Sequence, residues 1–230
     1  MSEALEYFKK VYKDVPAWVQ IMHDYNPKML EYYTNIRSEA FQSAVLSDIE
    51  KDELIAAFNA GRLYDRSMVY HTQASLNKGS KLDDLVEYFL VAYVYKGKEA
   101  LEHSLLAVAQ YINDKDGKNL EPAASYETLE EVVNQLKEWT GAPILDKVLA
   151  NLEDPEAVIM AAGTVSESRK YLALVGMYIT ELDGKGAGPH VENARKHGVT
   201  EEELADLGYV IILTSGIPSW FELSDHLNTK

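Results

Sequence analysis

The sequence predicts an all-α protein built from two copies of one helical unit. No stretch shows the clean apolar–polar alternation of a half-buried strand. Two long apolar runs, VEYFLVAYVY and LGYVIILTS, each follow a polar, acidic start of the kind that opens a helix. A set of landmark residues also recurs in register 119 positions apart: His71 with His190, Gly79 with Gly198, Asp83-Asp84 with Glu202-Glu203, Leu85 with Leu204, and Gly97 with Gly216. Five matches at one offset argue for an internal duplication.

Taken in order, SEALEYFKKVYKD is amphipathic, and Pro27 opens a helix over KMLEYYTNIRSEAF. Ser47-x-x-Glu50 is a capping box leading into KDELIAAFNAGRLY. His71 to Lys78 reads as helix, with Gly79 suited to a left-handed end. Ser80-x-x-Asp83 then caps the first apolar run. Its β-branched and aromatic content makes a strand the competing reading, but its continuous length favours a helix buried on most sides. The polar stretch at 113–125, NDKDGKNLEPAAS, reads as a linker between a first unit at 1–112 and a second at 126–230. In the second unit SYETLEEVVNQLKEW and the Pro143-led ILDKVLANL parallel the first two helices. SESRKYLALVGMYITEL takes the place of the Ser47 helix, and Thr200-x-x-Glu203 caps the second apolar run.

Between the last two helices stands DGKGAGPH, residues 183–190. It matches neither phosphate-binding glycine pattern and follows a helix instead of a strand. The expectation is a glycine turn that bends the chain into a helix starting at Pro189-His190.

Composition sets outer limits. The 230-residue chain has no cysteine, which removes disulfides, thiolate metal sites and cysteine nucleophiles. Its 37 acids against 22 bases give a formal charge of −15, a field that repels nucleic acid and anionic membrane. No apolar run approaches the roughly 18 residues that cross a bilayer, and the N-terminus carries no signal-peptide core, so a cytoplasmic protein is expected.

The segment from Ser47 to Gly97 resembles the carboxymuconolactone decarboxylase and alkylhydroperoxidase D-like superfamily. ELIA at Glu53 to Ala56, His71, and GSKLDDL fit that family's helix start, histidine and following capped helix; His190 and GVTEEEL carry the second copy. The resemblance implies two tandem all-α repeats packed as a pseudo-dimer. It also implies a homo-oligomer, for instance a trimer with the symmetry of a hexamer. Redox members place cysteines seven and four residues before the histidine. Here those positions hold Tyr64 and Ser67 in one copy, Asp183 and Gly186 in the other, so thiol peroxidase chemistry is absent. The family glutamate stands twelve residues before the first cysteine position. Glu53 stands eleven before Tyr64 and fits with one residue deleted, while the second copy has Lys170 and Tyr171 in that region.

The function so implied is a lyase or isomerase acting on a small organic acid or lactone by general acid–base catalysis. His71, and in the second copy His190, would carry the proton. Glu53 would be the partner carboxylate, and Tyr64 or Ser67 would hold substrate. No prosthetic group is required. An iron or zinc site built on His71, His103 and Glu53, with Glu222 standing where His103 does in the other copy, is one alternative. A non-catalytic ligand-binding or assembly module is the other. His23, His197 and His226 show no pattern and are expected at the surface.

Overall fold

The computed structural model describes residues 2–12 and 14–228. Lys13, inside the first predicted helix, lies outside the described residues, as do Met1, Thr229 and Lys230. Among the described residues there are fourteen α-helices and no strand, and no helix is long and apolar enough to cross a membrane.

The chain divides into two compact units, Met1–Ala44 and Val45–Lys230. The first holds α1 (Glu3–Tyr12), α2 (Ala17–Tyr25) and α3 (Pro27–Gln42). Pro27 occupies the first turn of α3, where its missing N–H costs nothing, and the Asn26 side chain caps Met29 N. Phe8 is the centre of its core, edge-on to Trp18 at 5.3 Å and stacked on Tyr33 at 6.1 Å.

The second unit begins with α4 (Asp48–Gly61), α5 (Asp65–Asn77), α6 (Leu82–Lys96) and α7 (Lys98–Asp116). It continues through α8 (Leu129–Thr140), α9 (Pro143–Leu149) and α10 (Pro155–Met160). It ends with α11 (Glu167–Thr180), α12 (Gly184–Lys196), α13 (Glu201–Ser215) and α14 (Ile217–Ser224). Helices on both sides of the 113–125 stretch contribute to one hydrophobic core, so the expected linker runs over a single body. Both apolar runs are helices, α6 and α13, because side chains from α4, α7, α10, α11 and α14 cover them and satisfy their all-round hydrophobicity.

The 119-residue offset extends to the backbone. Helices α4 and α11 start at 48 and 167 and end at 61 and 180; α5 and α12, and α6 and α13, match equally at both ends. Leu63 and Leu182 both adopt positive φ, 58° and 62°, in the turns before α5 and α12. Gly97 and Gly216 share φ near +80° with extended ψ, a region closed to other residues, and each joins two helices without a spacer. Buried contacts exchange in the same way. Lys51 Nζ lies 3.3 Å from Asp206, and Lys170 Nζ, its counterpart by offset, lies 2.7 Å from Glu87, the counterpart of Asp206. Leu46 N donates to Asp206 at 2.9 Å and Val165 N donates to Glu87 at 3.2 Å. Two further pairs join a residue to its own counterpart: Arg62 with Glu181 at 2.9 Å, and Arg169 with Glu50 at 2.8 Å. At the centre Gly176 lets α11 approach α4, since a Cβ there would stand 2.2 Å from the Phe58 ring.

Three local expectations are corrected. Ser80 does not cap α6: Lys81 occupies that position, and the Ser80 hydroxyl is engaged elsewhere. His71 and His190 do not open their helices but stand in the second turns of α5 and α12. The glycines of DGKGAGPH are helical, with Asp183 capping Gly186 N and Pro189 inside the helix. They are glycines because of packing: a Cβ at 184 would meet Glu222 at 2.5 Å, and one at 186 would meet the Tyr178 ring at 2.7 Å.

Candidate functional site

Helix α4 carries two consecutive buried carboxylates, and one step of about 100° along the helix sends them to different partners. Asp52 meets α5. Its Oδ1 lies 2.7 Å from His71 Nδ1, and its Oδ2 accepts from Lys78 Nζ at 2.6 Å. Burial alone would raise the Asp52 carboxyl, but the contacts with His71 and Lys78 outweigh it and hold the group below the ordinary carboxylate range. The His71 side chain is 12% exposed.

Glu53 points toward the start of α6, where it accepts from Ser80 Oγ at 2.5 Å. Burial pushes its carboxyl up to about 7; the Ser80 hydrogen bond opposes that push, and the negative charges of Asp84, Glu50 and Asp52 add to it. The partner of His71 is therefore Asp52, and Glu53 belongs to a separate hydrogen bond. The signal for Asp52 was in the spacing: it stands twelve residues before Tyr64, the family distance with no deletion.

The remaining predicted residues flank this pair. Tyr64 precedes the first residue of α5 and is half exposed. Ser67 Oγ accepts from Asn59 Nδ2 at 3.1 Å, while the buried Asn59 Oδ1 has no hydrogen-bond partner. His103 does not join His71: its Nδ1 lies 2.7 Å from Asp65. Glu222, its counterpart, accepts from Gly184 N at 3.2 Å. Among the described residues no three His, Asp or Glu side chains converge as a metal-binding group.

The second half differs chemically at the matching place. Tyr171 stands 119 after Asp52, and His197 stands 119 after Lys78; the two stack at 4.5 Å where the first half has an ion pair. With no carboxylate at 171, His190 Nδ1 is buried without a hydrogen-bond partner. One face of its ring stacks on Tyr178 at 4.8 Å. Burial lowers the tendency of His190 to protonate, partly opposed by the charge of Glu156. Asp183, seven residues before His190, serves as the helix cap, accepting from Gly186 N at 2.8 Å. His190 borders a cavity of about 450 Å³ between α10, α11 and α12, also lined by Asp154, Glu156, Glu167, Tyr171 and Asn193. Sequence reasoning passed over α10; the Asp154-Pro155 step that opens it was the available signal.

No family model matches the chain, and no curated protein sequence does.

Proposed function

We propose that the chain is a cysteine-free, tandem relative of the carboxymuconolactone decarboxylase and alkylhydroperoxidase D-like superfamily, its two repeats packed as a built-in dimer. On this reading it is a lyase or isomerase that acts on a small organic acid or lactone by general acid–base catalysis. The recurrence of helix boundaries at one offset and the exchanged Lys51–Asp206 and Lys170–Glu87 pairs support the repeat arrangement. A single observation carries the catalytic reading: His71 Nδ1 held 2.7 Å from a buried aspartate at the family's glutamate-to-histidine spacing.

In this scheme Asp52 fixes the tautomer with the proton on Nδ1 and stabilises the imidazolium when it forms. With Nδ1 committed, proton traffic with substrate runs through Nε2. His71 and, to a lesser degree, Lys78 keep Asp52 ionised, so that carboxylate orients and does not itself donate. Glu53, titrating near neutrality, is a second group able to give or take a proton. The scheme needs no prosthetic group. The same resemblance carries the proposal of a homo-oligomer, which light scattering reads directly.

A second reading, a ligand-binding module without turnover, draws support from the acids around Glu53: Asp84, Glu50 and Asp52 make a negative field there that disfavours an anionic substrate. One experiment separates the two. Wild type, His71→Ala and Asp52→Asn are assayed for carbon dioxide release and lactone isomerisation on a panel of β-keto acids and carboxylated γ-lactones. The enzyme reading expects turnover by wild type and a loss of about 100-fold or more in His71→Ala with helicity retained. Asp52→Asn keeps partial activity with a displaced pH profile. No turnover across the panel, or a His71→Ala variant as fast as wild type, overturns it.

A further inference from the structure

The likeness of the two halves breaks down at one surface. Residues 207–221 carry no charged side chain, in a chain that is 26% charged. Their counterparts at 88–102 include Lys96, Lys98, Glu99 and Glu102, and in the second half those places hold Ser215, Ile217, Pro218 and Phe221. Burial does not account for the exchange, since Ile217 is 53% exposed and Phe221 61%. Spaced four apart on α14, they share one face with Trp220, whose ring stacks at 5.1 Å on the 44%-exposed Tyr209.

The first half shows this face covered. Helix α7 packs against α4, α5, α6 and α8, and Lys98 donates to the carbonyl of Tyr126, in the segment that leads into α8. Leu90 and Leu101, the counterparts of Tyr209 and Trp220, are fully buried. Helix α14 packs against α11, α12 and α13, the counterparts of α4, α5 and α6, and among the described residues no helix packs on it in the place of α8. Position 217 thus presents apolar carbon to solvent where position 98 presents an ammonium to its cover.

Charge selects the occupant. At −15 the chain repels a twin over much of its surface, and it repels anionic membrane as well. Two copies approach at least cost where neither brings a charge to the contact, and a twofold axis lets one uncharged patch serve both sides. At the roughly 200 Å² that such side chains present, the exposed fractions of Tyr209, Ile217 and Phe221 amount to about 300 Å² per copy. The resulting pair of about 600 Å² falls short of a permanent interface, so association is weak, with a Kd on the order of 10 µM.

We propose that the Ile217–Trp220–Phe221 face of α14, with Tyr209, is the surface through which two copies of this chain form a twofold dimer. The proposal gives a surface to the homo-oligomer proposed above and rests on that reading, but not on the catalytic one.

The test is sedimentation velocity with light scattering on the full chain from about 1 to 300 µM, for wild type, Phe221→Glu and Met29→Glu. Wild type should pass from monomer to dimer across that range, and Phe221→Glu should weaken association about tenfold or more. Met29, on α3, is 53% exposed, and its variant should dimerise as wild type does. Phe221 is exposed, so its variant should keep the wild-type Tm, and amide exchange at 217–224 should slow as wild-type concentration rises. A wild type that stays monomeric throughout removes the oligomer and this surface together. An assembly that persists unchanged in Phe221→Glu, that Met29→Glu disperses instead, or that contains three chains leaves the oligomer standing and overturns this surface.

Discussion

Replacing Glu53 by glutamine should stabilise the fold, and only on the alkaline side. Glu53 is 6% exposed, and its carboxyl is pushed up to about 7 from an ordinary 4.5. Burial is the main cause, with Asp84, Glu50 and Asp52 adding repulsion against the relief given by Ser80. The sign follows from which state binds the proton more tightly. Between roughly 4.5 and 7 the folded chain keeps a proton that the unfolded chain has released, so stability falls as pH rises through that window and is level above it. A gap of roughly 2.5 at 1.36 kcal/mol per pKa unit makes the ionised Glu53 cost about 3 kcal/mol above neutrality. Glutamine removes the charge, retains an oxygen to accept from Ser80 and leaves the volume unchanged. Urea unfolding followed by circular dichroism should therefore show almost no difference between Glu53→Gln and wild type near pH 4, below the window. The variant should gain steadily to about 3 kcal/mol near pH 8. Asp52 titrates with the opposite sign, its contribution being lost as pH falls, but it is present in both proteins and drops out of the difference. A difference constant across the range, or an alkaline loss in the variant, would refute the argument that this carboxyl is held protonated by its surroundings.

Lys170 is fully buried and holds Glu87 together with the carbonyls of Ile159 and Ala161, so Lys170→Met should cost about 3–5 kcal/mol by stranding the Glu87 charge, measured by the same unfolding assay. Gly176→Ala would drive a methyl into the Phe58 ring and should cost about 1–3 kcal/mol, visible as a lowered Tm. Leu182 adopts φ +62° while 47% exposed, so Leu182→Gly should raise stability by about 1 kcal/mol. Leu63→Gly should gain less, because Leu63 also packs against the core.

Much of the helical framework was legible because its signals are local. The capping boxes at Ser47 and Thr200, Pro27 and Pro143 at helix starts, and Gly79 and Gly198 just past helix ends all act within a few residues. What stayed hidden is non-local. Ser80 reads as a cap, but its hydroxyl is taken by Glu53, 27 residues earlier. Residues 184–188 read as a turn because glycine weakens a helix by about 1 kcal/mol each. Yet a Cβ at 184 would clash with Glu222 and one at 186 with Asp183 and Tyr178, while one at 188 would stand a tight 3.1 Å from the His226 ring. The carboxylate beside His71 was misplaced by one residue, since the ELIA match drew attention to Glu53 while the spacing fell on Asp52. The break between Ala44 and Val45 carries no glycine or proline, so nothing local marks it.

The two salt bridges in which a residue meets its own counterpart constrain how the halves recognise each other. Were the chain cut between Gly117 and Thr128, a first fragment meeting its twin in the same geometry would set Arg62 against Arg62 and Glu50 against Glu50. A second fragment would oppose Glu181 to Glu181 and Arg169 to Arg169. Only the mixed couple turns each repulsion into attraction, whereas the Lys51 and Lys170 contacts tolerate either arrangement. Along that seam the charges at 50, 62, 169 and 181 make each half complementary to the other and not to itself.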